Sequence, residues 1–324
     1  MSERIHRSDR LAPEVRALLE ATDALKLPPL ETLSVEDARL QSAVGFKRRG
    51  GVPVKLERVE ELRIPGPRGE IAARVYANDS GGVRTGLVYF HGGGFVIGDL
   101  DTHDAICRLL AKESDALVIA VDYRRAPEHK FPAAVEDAHA ATVWISEHAA
   151  QLGIDANRIA VGGDSAGGNL ATVTAIRCRD AGGPALTSQL LIYPIANHSS
   201  FETGSYLDFA ENHYLTRNAM QWFASHYLAS PEDGRNPDAS PLLAKDLAGL
   251  PPALLITAEF DPLRDEGEAY AERLRQAGVF VTAVRYPGMI HGFALMPGVL
   301  ESGRRAIREA AEFLRRLEPN PLKP

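Results

Sequence analysis

Apolar positions along the chain follow two spacings. In the first fifty residues the spacing is helical. Leu11, Val15, Leu18 and Leu19 share one face of "LAPEVRALLEA", with Pro13 near the expected helix start. "SVEDARLQSAV" opens with Ser34 and carries Asp37 three residues on, which is a capping-box pattern. "RRGGVP" at 48–53 then breaks the chain. Beyond it, apolar or alternating runs near 54–64, 69–77, 86–91, 116–123, 158–163, 189–194, 253–258 and 280–286 read as strands. Helical patterns fall near 132–150, 166–181, 265–277 and 303–317, the last with Ile307, Ala310, Leu314 and Leu317 at spacings of three and four. Strands alternating with helices predict an α/β fold, a mainly parallel sheet covered on both faces. The short "PGPRG" turn makes the first two strands an antiparallel pair at one edge. About sixty residues separate the strands at 189–194 and 253–258, too many for a plain connection. That stretch predicts an inserted helical lid, with Asn218–Leu228 in "TRNAMQWFASHYL" as its helix.

Composition narrows the partners. The chain has 324 residues, 45% of them hydrophobic and 24% charged, the balance of a soluble globular protein. Its net charge of −7 argues against nucleic acid as a partner. The charged start, "MSERIHRSDRLAPEV", lacks the apolar core of a signal peptide, and no apolar run reaches the ~20 residues that span a bilayer. These features predict a cytoplasmic protein without stable membrane insertion, and they leave a homodimer open. Cys107 and Cys178 fall in predicted helices and read as small core residues.

The chemistry begins at "IAVGGDSAGGNLATV". A strand, Ile159-Ala160-Val161, runs into Gly163-Asp164-Ser165-Ala166-Gly167, and a helical pattern follows. This is G-x-S-x-G in the strand–turn–helix context of a nucleophile elbow. A serine hydroxyl needs a base at neutral pH, and the base needs an orienting carboxylate. In this topology the acid and the histidine follow the serine in chain order. "ALLITAEFDPLRDEG" places Asp261 just after a strand, and "VTAVRYPGMIHGFA" does the same for His291. Asp265 and Glu266 are rivals, but they fall at the start of the next helix, where acidic residues complement the helix dipole. His198, His213 and His226 lie in the expected lid and read as polar surface residues. His103, His139 and His148 lie in predicted helices, have no acid partner implied by spacing, and read as structural. Upstream, "YFHGGGFVIGDL" ends a buried strand in three glycines. A bare loop there can offer backbone N–H groups to an oxyanion, so Gly93 and Gly94, with Ala166 after the serine, are the expected oxyanion-hole donors. His91 reads as a support for this loop. No His, Cys or Asp cluster has zinc-like spacing, so neither a metal nor a cofactor is expected.

"HGGGF", "DYRRAPEHKFPAA", "GDSAGGNLA", "DPLRDEG" and "HGF", in this order, resemble the hormone-sensitive-lipase-like family (family IV) of bacterial carboxylesterases across nearly the whole chain. The resemblance implies an α/β-hydrolase fold with an eight-stranded, mostly parallel sheet flanked by helices. It implies a helical cap made of residues 1–52 and an insertion at about 196–230, on a catalytic domain of 53–324. It implies a triad of Ser165, Asp261 and His291, an oxyanion hole from Gly93, Gly94 and Ala166, and a small-molecule ester as substrate. Asp122-Tyr123-Arg124 and Pro127-Glu128-His129 resemble the family's structural loop beside the site, with Glu128 kept as an alternative substrate contact. Arg125 stands where leucine is common in the family and reads as a surface-type change.

The same triad serves amidases and peptidases, so amide cleavage stays open. Plant gibberellin receptors, which are similar to this family, keep the fold and lose the catalytic histidine. His291 favours an enzyme. The resemblance implies a preference for short- to medium-chain acyl esters, and the many charges of the N-terminal helices (Glu14, Arg16, Glu20, Glu36, Asp37 and Arg39) agree with soluble esters rather than an oil–water interface.

Overall fold

A computed structural model describes residues 9–78 and 81–316. Leu317, expected on the last helix, lies outside the described residues, as do Glu3, Arg4 and Arg7 of the charged start. Eight strands form one sheet in the order β1-β2-β4-β3-β5-β6-β7-β8. They are β1 (Arg58–Gly66), β2 (Gly69–Ala77), β3 (Arg84–Phe90), β4 (Leu117–Asp122), β5 (Ile154–Asp164), β6 (Ser188–Ile192), β7 (Ala253–Phe260) and β8 (Val281–Ile290). β1 and β2 pair antiparallel at one edge, as the short turn requires, and β2 is also antiparallel to β4. The remaining neighbours are parallel. The expected run at 54–64 begins pairing only at Arg58.

Alternation along the strands feeds two hydrophobic layers. Leu87 and Tyr89 of β3 join one core cluster, and Val88 and Phe90 join the other. Leu254 and Leu255 of β7 divide in the same way. A strand covered on both faces needs apolar residues at every position, which is why these runs are continuous. α3 (Asp104–Ser114) and α10 (Glu301–Arg315) cover the first face through Ile106, Leu110 and Ile307. α4 (Ala133–Glu147), the short α5 (Ala149–Leu152), α6 (Ala166–Asp180) and α9 (Arg264–Gln276) belong to the second, with Val135, Leu170 and Leu274 in its core. Cys107 and Cys178 are buried, as expected.

α1 (Pro13–Ala24) and α2 (Val35–Gly50) precede the sheet. Val15 and Leu19 bury the inner face of α1, and Ser34 caps α2 by accepting from the Asp37 N–H at 3.1 Å. The long β6–β7 connection holds α7 (Gly204–Asp208) and α8 (Arg217–Tyr227). α8 is the predicted lid helix, but Leu228 has extended backbone just beyond its end. Among the described residues, no helix is long and apolar enough to cross a membrane.

Candidate active site

The site lies at the carboxyl ends of the parallel strands, where open α/β sheets bind ligands. β5 runs into Asp164, and Ser165 turns the chain into α6 with φ 54° and ψ −115°. Few non-glycine residues occupy that region, and the turn holds one there because of the packing around it. A side chain at Gly163 or Gly167 would run into the Phe90 carbonyl oxygen of β3, so strand and helix approach this closely only with glycine at both places. Ser165 N–H donates to Ile192 O at 2.8 Å, which ties the elbow to the end of β6.

Three residues expected to act together meet here. His291 Nε2 lies 3.1 Å from Ser165 Oγ, and Nδ1 lies 2.8 Å from Asp261 Oδ2. An N–H on Nδ1 donates to the carboxylate, leaving Nε2 as acceptor for the serine hydroxyl. Asp261 Oδ1 accepts from the Leu263 N–H at 2.9 Å. Asp261 is 0% exposed, Ser165 6% and His291 8%. The rival Asp265 accepts from the Ser205 N–H at 2.7 Å and pairs with Arg264, away from the histidine.

Gly93 (φ 111°), Gly94 (φ 59°) and Phe95 (φ 64°) turn the loop after β3 through three successive positive φ angles. The N–H groups of Gly93, Gly94 and Ala166 donate to no protein acceptor among the described residues. Beneath this loop His91 stacks on Tyr123 at 4.2 Å, and its Nδ1 donates to Gly92 O at 2.8 Å. Burial pushes the His91 imidazole down to about 3, so the support is neutral. Tyr123 OH donates to His91 O at 2.8 Å.

Several residues differ from their sequence reading. Asp164 is a buried anchor whose Oδ1 accepts from Tyr89 OH at 2.8 Å and from the Gly92 N–H at 3.1 Å. Burial raises this carboxyl, yet His103 and the Tyr89 hydroxyl hold it below the ordinary carboxylate range. His103, expected to lack an acid partner, lies 3.3 Å from Asp164. The pair joins the start of α3 to the end of β5, far apart in sequence, so local spacing carries no sign of it. His198 and His213 are buried rather than on the surface, the first against Phe95 and Tyr227, the second stacked on Phe260. Arg125 is half-buried and donates to Gly98 O, because the loop around it closes over its guanidinium. Glu128 pairs both carboxylate oxygens with Arg39 and does not line the cavity. Glu266 does more than complement a helix dipole. It is buried, and its Oε1 accepts from the N–H groups of Ala196 and Asn197 at 2.7 and 3.1 Å. Burial pushes its carboxyl up to about 8 against those two donors.

A cavity of about 1000 Å³ opens over Ser165 and His291. α1, α2 and α8 contribute Leu18, Phe46, Met220 and Phe223 to its walls. Leu25, Leu27 and Val44 line its mouth and are each more than half exposed. Tyr214 also lines it, taking a hydrogen bond from Arg49 Nη1 at 3.0 Å. No cluster of three or more His, Cys, Asp or Glu among the described residues is arranged to hold a metal ion.

A family model described as the alpha/beta hydrolase fold matches residues 87–295. The chain is 50% identical over 242 residues to carboxylic ester hydrolase LipN of Mycobacterium tuberculosis, a match covering 72% of this chain and 64% of LipN. It is 46% identical to esterase LipI of the same organism, over 80% of this chain and 82% of LipI. The solved hyperthermophilic esterase of the archaeon Pyrobaculum calidifontis superposes with a TM-score of 0.90 at 46% identity, covering 94% of this chain and 98% of that one. With the strand order above and a serine, a histidine and an aspartate in contact at the strand ends, these matches make the chain a member of the α/β-hydrolase superfamily, in its hormone-sensitive-lipase-like branch.

Proposed function

We propose that the protein is a serine carboxylesterase acting on small-molecule esters of short to medium acyl chain length. The observation that carries this reading is the unbroken contact chain Ser165–His291–Asp261 under a loop of unpartnered N–H groups. Ser165 Oγ attacks the ester carbonyl carbon as its proton passes to His291 Nε2. Asp261 holds the ring and stabilises the imidazolium. The carbonyl oxygen becomes an oxyanion, and the N–H groups of Gly93, Gly94 and Ala166 are aimed at it. Collapse of this intermediate expels the alcohol, which takes the proton from His291 and leaves an acyl-serine. Water, deprotonated by His291, then releases the acid by the same steps.

Residues 1–52 together with the insertion at about 196–230 serve as the cap over the catalytic domain. The cavity walls drawn from α1, α2 and α8 support this division. The names of LipN and LipI favour esters over amides as substrates. A fluorophosphonate probe followed by peptide mass spectrometry tests the assignment. Modification is expected at Ser165, with loss of ester hydrolysis in step with labelling. A label on another serine, with Ser165 unmodified, would refute it.

A further inference from the structure

The loop that carries Gly93 and Gly94 is held from outside as well as from beneath. Phe95 lies in the left-handed region, which is unfavourable for a bulky side chain unless its surroundings enforce it. Its ring stacks on Tyr227 of α8 at 3.7 Å, and a side chain at Gly94 would run into the Phe223 ring of the same helix. From the other direction comes Arg39 of α2. Its Nε donates to Val96 O at 2.9 Å and its Nη2 to Ala126 O at 2.9 Å. Nη1 and Nη2 also donate to the two carboxylate oxygens of Glu128, each at 2.7 Å. Val96 N–H in turn donates to Gly93 O at 3.0 Å, and Ala126 N–H donates to Phe95 O at 2.9 Å. One guanidinium thus fastens the glycine loop to the loop after β4.

We propose that Arg39 is a positioning residue for the oxyanion hole, so that the N-terminal helices set the geometry of the catalytic centre as well as walling the cavity. The inference rests on the esterase reading above. Arg39 touches neither substrate nor triad. It acts by fixing the Val96 carbonyl: the Ile97 N–H of the same peptide donates to Gly93 O at 2.9 Å, and that carbonyl shares its peptide plane with the Gly94 N–H. A planar fork with several donors suits three separate acceptors, and a lysine ammonium does not reproduce it. The carboxylate of Glu128 accepts from Nη1 and Nη2, and this ion pair holds it down to about 2.

The test compares Arg39→Ala, Arg39→Lys and Glu128→Gln with the parent on a soluble p-nitrophenyl ester, each normalised by active-site titration. Lys47→Ala, an exposed cation on the same helix, is the control and should match the parent. Loss of one oxyanion donor costs about 10²–10³ in kcat, and a displaced donor costs less, so Arg39→Ala should lose roughly 10- to 100-fold in kcat. KM should stay within about threefold, because the hole binds the transition state and not the ground state. A trifluoromethyl ketone, which forms a tetrahedral adduct on the serine, should lose affinity by the same factor as kcat. Arg39→Lys should resemble Arg39→Ala, and Glu128→Gln, which leaves both carbonyl contacts in place, should stay within about threefold of the parent. If Arg39→Ala does not fold, Arg39→Lys carries the same comparison. The proposal is overturned if kcat stays within twofold of the parent, if KM rises while kcat holds, if Glu128→Gln is as slow as Arg39→Ala, or if neither Arg39 variant folds. Turnover that survives in Ser165→Ala would instead overturn the esterase reading itself.

Discussion

Two parts of the molecule meet at the cavity, and they are built differently. The sheet side presents Ser165, Asp261 and His291 from strand ends or the loops just after them, all buried and joined in one chain of contacts. The side proposed as a cap presents apolar side chains from α1, α2 and α8, and several at the cavity mouth stand more than half in solvent. Rigid, close-packed strands hold reacting atoms to fractions of an ångström. Helices resting on that frame shape a volume instead. The difference separates chemistry from selectivity: changes on the sheet side should strike kcat, and changes on the cap side should mostly redistribute preference among substrates. Arg39 is the point where this division is expected to fail.

The sharpest way to break the comparison is to remove the nucleophile. Ser165→Ala should lower kcat by about 10⁶, the scale seen for serine triads, with KM little changed. A loss of only tenfold would mean that the contact chain is not the reaction centre. The next effect should be at the orienting acid. Asp261→Asn should cost about 10⁴ in kcat, because the amide stabilises the wrong imidazole tautomer. Asp265→Asn should cost no more than a few-fold, since Asp265 bonds to Ser205 and Arg264. The reverse order in steady-state kinetics would exchange the two assignments.

A smaller effect tests the cap. Each methylene buried against its wall is worth about 0.8 kcal/mol until the space is full. Rates on p-nitrophenyl esters should therefore rise with acyl length, peak between butyrate and octanoate, and fall beyond. Deleting residues 1–45 should flatten that profile to within about threefold and lower the melting temperature. A peak that survives the deletion would place the selectivity on the sheet side. The smallest effect should appear in stability rather than rate. Glu266 joins the two regions by holding Ala196 and Asn197 where the chain leaves the sheet. Its carboxyl lies at about 8, above the ordinary 4.5, so the protonated form belongs to the folded state. Its stabilisation is complete below about pH 4.5 and is lost as pH rises through 8, on the order of a few kcal/mol across that window. Urea unfolding of Glu266→Gln should show the parent losing stability relative to the variant as pH rises from 4.5 to 8; a pH-independent difference would contradict this.

The strands stand at or within a few residues of the runs that announce them, most plainly β3, β4, β6 and β7, because a strand covered on both faces has few other ways to be written. The elbow and its partners were legible for a related reason: chain order and strand ends position them. What stayed hidden is contact between distant segments. Nothing around His103 foretells Asp164, sixty-one residues on, since β5 becomes the neighbour of β3 only in the folded sheet. His198 and His213 read as surface because a connection without a hydrophobic period gives no sign of what will pack over it. Arg39 looks like one more charge on a charged helix, and its three acceptors, two of them main-chain carbonyls, are invisible to residue type.

The position of Asp164 has one more implication, which is mechanical. Its backbone leads directly into Ser165, while its carboxylate accepts from Gly92 at the root of the glycine loop. The serine and the first turn of the opposing loop therefore share a single point of reference. A shift of β5 against β3 would pull on this one hydrogen bond, so displacement of the serine would be coupled to displacement of the loop. The separation between Ser165 Oγ and the N–H groups of Gly93 and Gly94 would then change less than the position of either.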